Sequence, residues 1–122
     1  MVEVICDTSF LIHLATKRIK NIDTLNVEIG SLIFVVPEVV KNELIKLEQN
    51  IEKKQDVLTT LNFVKNLKSI PIKGDFADKE LLNHAKKHGS IIATMDKELK
   101  KQLKNAGSSV LSFSGDRIIL ES

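Results

Sequence analysis

The sequence contains no tryptophan and no tyrosine, and its five phenylalanines are the only aromatic residues among 122. This scarcity argues against modules that read single-stranded nucleic acid by stacking bases on a row of exposed aromatic side chains. Proline and glycine are also scarce, with two and five residues. Together with 43% hydrophobic and 28% charged residues, this composition predicts one globular domain over residues 1–122 with a largely aliphatic core.

The single cysteine, Cys6, excludes an internal disulfide. Its apolar neighbours Val4 and Ile5 predict a buried thiol, as is usual in a reducing cytoplasm. No apolar run approaches the roughly 20 residues that cross a bilayer, and no secretion signal is visible, so we expect a cytoplasmic protein without a membrane partner. The 18 basic and 16 acidic residues give a formal net charge of only +2. Any attraction to nucleic acid must therefore come from how the charge is distributed.

Short aliphatic runs alternate with longer helical patterns, which predicts an α/β fold with a central, mainly parallel sheet. Strands are expected at 2–6, 32–36, 70–72, 90–93 and 109–111, with an edge strand at 117–120. Helices are expected at 10–15, 37–49, 56–67, 75–88 and 95–105. Gly89 and Gly107 are expected to follow two helix ends, and Asp75 is expected to cap the fourth helix.

Two acidic residues follow predicted strands. Asp7 comes directly after the first strand, and Asp96 comes three residues after Ala93, which ends another. Ligands of open parallel sheets bind outside the carboxyl ends of the strands. We therefore expect both acids at the ligand-binding edge of the sheet.

Two further acids lie on helices that begin at the same edge. A projection at 100° per residue places Glu43 at about 40° from Val39, inside the apolar arc of its helix. The same projection places Asp78 at about 100° from Ala77, again inside the apolar arc. Both side chains are therefore expected to point inward.

Four carboxylates that converge on one pocket repel one another unless a cation or several donors compensate them. Carboxylate oxygens without a nearby Cys or His favour Mg²⁺ or Mn²⁺ over Zn²⁺. Each acid alone also has a simpler explanation: a favourable place at a helix N-terminus for Asp7, Asp78 and Asp96, and pairing with Lys41 or Lys46 for Glu43. Their coincidence at one edge favours the metal site.

The segments around these acids resemble the PIN domain family. The similar segments are 7–11 (DTSFL), 39–44 (VVKNEL), 77–81 (ADKEL) and 93–96 (ATMD), in that order. The resemblance implies a Rossmann-like three-layer α/β/α domain and a metal-dependent ribonuclease. It implies acidic site residues at four positions, Asp7, Glu43, Asp78 and Asp96, and supporting hydroxyl or small polar residues at Ser9 and Thr94.

In this interpretation Asp7, Asp78 and Asp96 bind the metal ion directly, and Glu43 either binds it or orients its water. The sequence from Gly107 onward resembles the archaeal and eukaryotic ribosomal-RNA-processing branch of the family, with the toxin branch of toxin-antitoxin pairs close behind. The partners implied are an RNA substrate, a second copy of the chain, and either an antitoxin or a ribosome-assembly partner. A homodimer interface would use exposed apolar residues such as Ile45 and Phe63, with ordinary burial of these residues as the alternative.

Basic residues recur on one face of the predicted helix 95–105. Four lysines, at 97, 100, 101 and 104, project within about 100° of one another and opposite the leucines of that helix. We expect Lys97, Lys100, Lys101 and Lys104 to contact substrate phosphates, with an ordinary solvated helix face as the alternative.

Other interpretations remain open at this point. His84 and His88 lie one helical turn apart, but without a third ligand they form no persuasive zinc site. A haloacid-dehalogenase-like phosphatase would place its second acid at Ser9, and a phosphate-accepting signalling domain would need paired acids after the first strand. The non-enzymatic alternative is a PIN-like module that binds RNA or protein without cleaving, against which the four retained acids argue.

Overall fold

The structure, a computed structural model, describes residues 2–17, 19 and 32–121. Over these residues the chain forms six strands and five helices, and every predicted element is present with ends shifted by a few residues. The elements are β1 (Val2–Cys6), α1 (Thr8–Thr16), β2 (Leu32–Pro37), α2 (Glu38–Leu47), α3 (Lys54–Val64), β3 (Lys68–Ile70), α4 (Ala77–His88), β4 (Ile91–Ala93), α5 (Lys97–Asn105), β5 (Val110–Ser114) and β6 (Arg117–Glu121).

The strands form one sheet in the order β3-β2-β1-β4-β5-β6. Strands β1 to β5 are parallel, and β6 returns antiparallel to β5. The chain winds outward from β1 to β3 and then returns to β4. Because crossovers between parallel strands are almost always right-handed, this order puts the two groups of helices on opposite faces of the sheet. In agreement, α1, α2 and α3 contact one another, and α4 contacts α5. The predicted Rossmann-like α/β/α architecture is confirmed, with its topological switch point between β1 and β4.

The core is aliphatic, as the composition predicts, apart from the fully buried Phe10 ring, against which two partly buried phenylalanine rings pack. Val4 and Cys6 on β1 are fully buried. The buried Phe10 ring lies 6.0 Å from Phe34 and 4.9 Å from Phe113, measured between centroids. Cys6 is a free, buried cysteine, as expected, and burial raises the pKa of its thiol far above the ordinary value.

The helices end where the sequence predicts glycine-assisted stops. Gly89 follows α4 with φ of 64°, and Gly107 follows α5 with φ of 80°, both in the left-handed region where glycine lacks a steric penalty. Within the described ranges, none of the helices is both long and apolar enough to cross a membrane.

Candidate active site

An open cleft lies at the switch point, where the carboxyl ends of β1 and β4 are adjacent. Its volume is about 410 Å³. The structure brings all four predicted acids to this cleft, together with Ser9. The lining residues are Asp7, Thr8, Ser9, Ile12, Glu43, Leu47, Lys53, Asp78, Met95 and Asp96. We refer to this cavity as the acidic cleft.

Asp7 is the buried member of the acid set. Its backbone N–H donates to the carbonyl of Ala93 at 2.8 Å, which places it at the junction of β1 and β4. It precedes α1, but its side chain makes no N-cap hydrogen bond. Only 7% of the residue is exposed, so its carboxylate lies at the floor of the acidic cleft rather than on a solvated helix end.

The surroundings of Asp7 disfavour its charge. Burial raises the pKa of the Asp7 carboxyl, and the neighbouring charges of Glu43 and Asp96 raise it further. Hydrogen bonds from the Thr94 side chain and the Thr8 backbone oppose this rise. A cation in the acidic cleft would relieve both the desolvation and the repulsion.

Thr94 connects two of the acids. Its hydroxyl is fully buried and donates to Asp7 Oδ2 at 2.8 Å. The hydroxyl oxygen of Thr94 also accepts the backbone N–H of Asp96 at 3.1 Å. Ser9 makes a weaker link, because its Oγ accepts the backbone N–H of Met95 at 3.4 Å. Both hydroxyls therefore hold the β4–α5 connection against the end of β1.

Asp96 caps α5 in addition to lining the cleft. Its Oδ1 accepts the backbone N–H groups of Glu98 at 2.9 Å and Leu99 at 3.0 Å. The capping alternative raised by the sequence is therefore correct for this residue. A carboxylate has several lone-pair sites on two oxygens, so capping through Oδ1 is compatible with a ligand at Oδ2.

Glu43 joins three helices. Its Oε1 accepts from the Thr8 hydroxyl at 2.9 Å, and its Oε2 accepts the backbone N–H of Ala77, the first residue of α4, at 3.0 Å. The prediction that Asp75 caps this helix is wrong. Phe76, which has no acceptor, occupies the N-cap position, and Glu43 supplies the carboxylate from α2.

Asp78 lines the cleft from the first turn of α4, but it is exposed, so the prediction that it points into the packed face is wrong. The apolar residues of the same helix face, Ala77 and Leu81, are buried in the core, whereas Asp78 remains in solvent at the open cleft. Its Oδ1 accepts the backbone N–H of Lys79 at 2.9 Å. An acid here also interacts favourably with the helix dipole.

The donor set fits a hard divalent cation. Four carboxylates line the cleft, and the pKa of Asp7 is raised first by burial and then by the charges of Glu43 and Asp96. As they are placed, no three His, Cys, Asp or Glu side chains in the described ranges lie close enough together to hold an ion. Mg²⁺ usually retains several waters and takes only one or two carboxylates, so the cleft meets its requirements.

The predicted basic face of α5 is divided in the structure. Lys100 and Lys104 donate to the Glu121 carboxylate at 3.2 Å and 2.6 Å, and the Ser112 hydroxyl also donates to it. These donors, led by Lys104, lower the pKa of Glu121 to about 2. Lys100 and Lys104 are therefore not free in the structure, which the projection of α5 could not show because it does not include the returning strand β6. Contact of the four lysines with substrate phosphates stays a prediction.

Lys97 and Lys101 remain exposed, and within the described ranges no ion pair involves either residue. The described lining of the acidic cleft includes none of the four α5 lysines. It does include Lys53, which no pattern in the sequence indicated. Lys53 lies in a charged segment between two helices, and no local pattern distinguishes it from its lysine neighbour at 54.

Other candidates lie away from the cleft. The rings of His84 and His88 are 4.5 Å apart, and His84 Nδ1 is 3.0 Å from the Ser90 hydroxyl. Partial burial, followed by the proximity of His88, lowers the pKa of His84. Of the two suggested dimer residues, Ile45 is 53% exposed, whereas Phe63 is half-buried and packs against the core.

Comparisons with known proteins agree with this geometry. The chain is 30% identical over 115 residues to Ribonuclease VapC9 of Archaeoglobus fulgidus, covering 93% of this chain and 84% of the relative. It is 32% identical over 113 residues to Ribonuclease VapC4 of Methanocaldococcus jannaschii, covering 84% of this chain and 83% of the relative.

Among solved structures, the PIN domain endonuclease Utp24 superposes with a TM-score of 0.78 at 28% identity, covering 98% of this chain and 90% of that one. A domain of a functionally unknown Methanocaldococcus jannaschii protein shares the fold, with a TM-score of 0.64 at 18% identity over 94% of this chain and 93% of that one. The PIN like domain model matches residues 4–116. The chain therefore belongs to the PIN like domain family.

Proposed function

We propose that this protein is a metal-dependent endoribonuclease that hydrolyses RNA phosphodiesters in the acidic cleft, with Mg²⁺ or Mn²⁺ as its cofactor. The observation that carries the proposal is the buried Asp7 carboxylate, whose pKa is raised by burial and by two other acids of the same cleft. Such an arrangement costs folding free energy without a cation and becomes favourable with one. The named activities of the ribonuclease and endonuclease relatives support the same chemistry.

Each acid has a defined role in this proposal. Asp7, Asp78 and Asp96 would hold the ion, one or two of them directly and the others through its water molecules, and Glu43 would hold it or orient its water. A divalent ion bound there lowers the pKa of coordinated water and neutralises charge on the phosphate. Thr94 keeps the Asp7 carboxylate in one orientation through its 2.8 Å hydrogen bond. The chain's contribution is thus to fix the ligands before substrate binds.

The deciding experiment is a cleavage assay on several structured and unstructured RNAs with Mg²⁺, Mn²⁺ or EDTA. We expect the wild-type protein to cleave with either metal and to lose activity in EDTA. The Asp7→Asn variant, which keeps the shape of the side chain, should lose at least about a hundredfold in rate. Cleavage by that variant at the wild-type rate would refute the proposal.

A metal titration separates the nuclease from a PIN-like module that binds without cleaving. Mg²⁺ or Mn²⁺ should raise the melting temperature of the wild-type protein, because a ligand that binds only the folded state stabilises it. A melting temperature unaffected by either ion, combined with RNA binding, would favour the non-cleaving module.

The biological role is proposed to be ribosomal-RNA processing in the cytoplasm, with a ribosome-assembly partner. Depletion should then change the ends of specific ribosomal-RNA precursors. A homodimer that uses the exposed Ile45 belongs to the same proposal, and analytical ultracentrifugation tests it.

A second candidate role is the toxin of a toxin-antitoxin pair, which the similarity to the two VapC ribonucleases favours. Expression of the chain alone should then arrest growth, and co-expression of a small cognate antitoxin should restore it. Normal growth on expression of a protein that cleaves RNA in vitro would favour the processing role.

A further inference from the structure

Lys53 is the only basic residue among the described residues that line the acidic cleft. It lies at the N-cap position of α3. Leu47, the last residue of α2, lines the same cleft. Lys53 therefore lies at the same cleft as the acids, between α2 and α3, whereas the lysines of α5 lie outside the lining.

The backbone around Lys53 is fixed by a series of turn hydrogen bonds. The N–H of Asn50 donates to Leu47 O at 2.9 Å, and the N–H of Lys53 donates to Asn50 O at 3.1 Å. The carbonyl of Lys53 then accepts the N–H of Val57 at 2.9 Å as α3 begins. These bonds keep the Cα of Lys53 at the cleft, while the side chain retains the reach of its four methylenes.

The charge of the cleft creates a need for such a group. Four carboxylates and one ammonium line it, so the lining stays negative even after one divalent ion binds. An RNA strand carries a negative charge on every phosphate, and the phosphates flanking the scissile bond lie farther from an ion held at the centre of the cleft and gain less from it. Two of the four α5 lysines bind Glu121, whose single negative charge offsets one of their two positive charges, and none of the four lines the cleft.

We propose that Lys53 binds a phosphate of the RNA strand adjacent to the scissile phosphate, as a substrate-positioning residue. The inference rests on the proposed ribonuclease function. A lysine suits this task because its ammonium is a compact charge with three donors that adapts to a phosphate of varying orientation. The competing explanation is that Lys53 only offsets the charge of the acids and makes no contact with RNA.

The test compares Lys53→Ala with Lys54→Ala, which removes the same charge from the next residue, one that the cleft lining does not include. With wild-type cleavage as reference, Lys53→Ala should raise KM roughly tenfold and change kcat by less than about twofold. Lys53→Arg should restore KM to within about threefold, because arginine also binds phosphate. Lys54→Ala should behave as wild type.

Binding without turnover gives a second readout that does not depend on catalysis. In the Asp7→Asn background, a fluorescently labelled single-stranded RNA should bind roughly tenfold more weakly after Lys53→Ala. The slope of log K against log salt should fall by about 0.7, the value expected for one phosphate contact on a single strand. The Lys54→Ala change should leave both the affinity and the slope unchanged.

Three results would overturn the inference. One is an unchanged KM and salt slope in Lys53→Ala. Another is an equal effect of Lys53→Ala and Lys54→Ala, which would indicate a general charge effect. The third is a tighter metal affinity in Lys53→Ala without any loss of RNA affinity, which would assign the residue as a counter-charge. A wild-type protein with no metal-dependent cleavage would instead refute the ribonuclease, while the binding measurements would still decide the role of Lys53.

Discussion

The Thr94 hydroxyl donates to Asp7 Oδ2 at 2.8 Å, although the two residues are 87 positions apart in the chain. Both groups are buried, and the same hydroxyl oxygen accepts the N–H of Asp96. One side chain thereby sets the position of two acids at the carboxyl edge of β1 and β4. Its removal should affect the ionisation of Asp7 more than the fold.

Thr94→Val should shift the pH dependence of cleavage. The Thr94 hydrogen bond lowers the pKa of Asp7, so its loss raises that pKa and moves the acidic limb of the profile upward by about one pH unit. Thr94→Ser keeps the hydroxyl and should keep the limb in place. A profile of rate against pH for the three proteins checks this, and coincident acidic limbs would contradict it.

Asp7→Asn should stabilise the metal-free protein at neutral pH. The folded protein raises the pKa of Asp7 above its ordinary 3.8, so the ionised carboxylate destabilises the fold as pH rises above that value. The variant should melt higher by on the order of 4 °C for each pKa unit of that shift. Below pH 3.8 both states hold the proton, and the difference from wild type should vanish.

Thermal melts across pH, with and without Mg²⁺, provide the measurement for Asp7→Asn. The ion should raise the melting temperature of wild type more than that of the variant, because it compensates a charge that the variant lacks. A variant that melts below wild type at pH 7 without metal would show that Asp7 is a net stabilising charge, contrary to this expectation.

Two substitutions of Glu43 should separate its structural and chemical roles. Glu43→Ala removes the acceptor of the Ala77 N–H and the Thr8 hydroxyl and should cost about 1–2 kcal/mol of the free energy of unfolding. Glu43→Gln keeps one carbonyl acceptor and should cost less. Both should lose cleavage, because both lack the charge. Denaturant unfolding alongside the RNA assay tests this, and equal stability losses would argue against the cap.

Glu121→Gln should lower the melting temperature at neutral pH. The pKa of Glu121 is held at about 2, below its ordinary 4.5, chiefly by the hydrogen bond from Lys104. Such a group contributes stability above pH 4.5 and loses it as pH falls from 4.5 towards 2. The difference from wild type should therefore shrink over that window. A difference that is constant from pH 7 to pH 2 would assign the effect to packing rather than charge.

The α5 lysines should separate into two functional pairs. Lys97→Ala with Lys101→Ala should weaken RNA binding and flatten its salt dependence, because both residues are exposed and, within the described ranges, make no ion pair. Lys100→Ala with Lys104→Ala should lower stability and alter RNA affinity less, because these lysines are engaged by Glu121. Equal losses of affinity in the two double variants would show that the helix acts only through its total charge.

Sequence periodicity was sufficient to place the acids because each signal was local. A β-branched run ending in Asp7, and another followed by Asp96, indicate the carboxyl edge of a parallel sheet without reference to the rest of the chain. The helical projection likewise directed Glu43 and Asp78 towards the cleft. The projection could not show that Asp78 stays exposed. It assigns a residue to one face of the helix, but it does not show whether that face packs against protein or borders solvent.

The contacts that the sequence missed all involve a second element. Glu43 replaces Asp75 as the cap of α4 because the end of α2 lies beside that helix, 34 residues away in the chain. Lys100 and Lys104 bind the Glu121 carboxylate, because β6 runs antiparallel to β5 and brings Glu121 to them. Lys53 gains its place in the cleft from the turn between two helices.

The alternation of strands and helices determined by itself that this chain is an α/β domain with acids at one sheet edge. The shortage of tryptophan and tyrosine argued only against recognition by stacked aromatic rings. Backbone periodicity and burial are properties of short segments, so composition and spacing express them directly. The tertiary structure decided which charge is buried at Asp7, which helix Glu43 caps and which lysines remain available. Those outcomes depend on how close segments far apart in the chain come to one another. Coulomb and hydrogen-bond energies are set by the distance between two groups in space and not by their separation in the sequence.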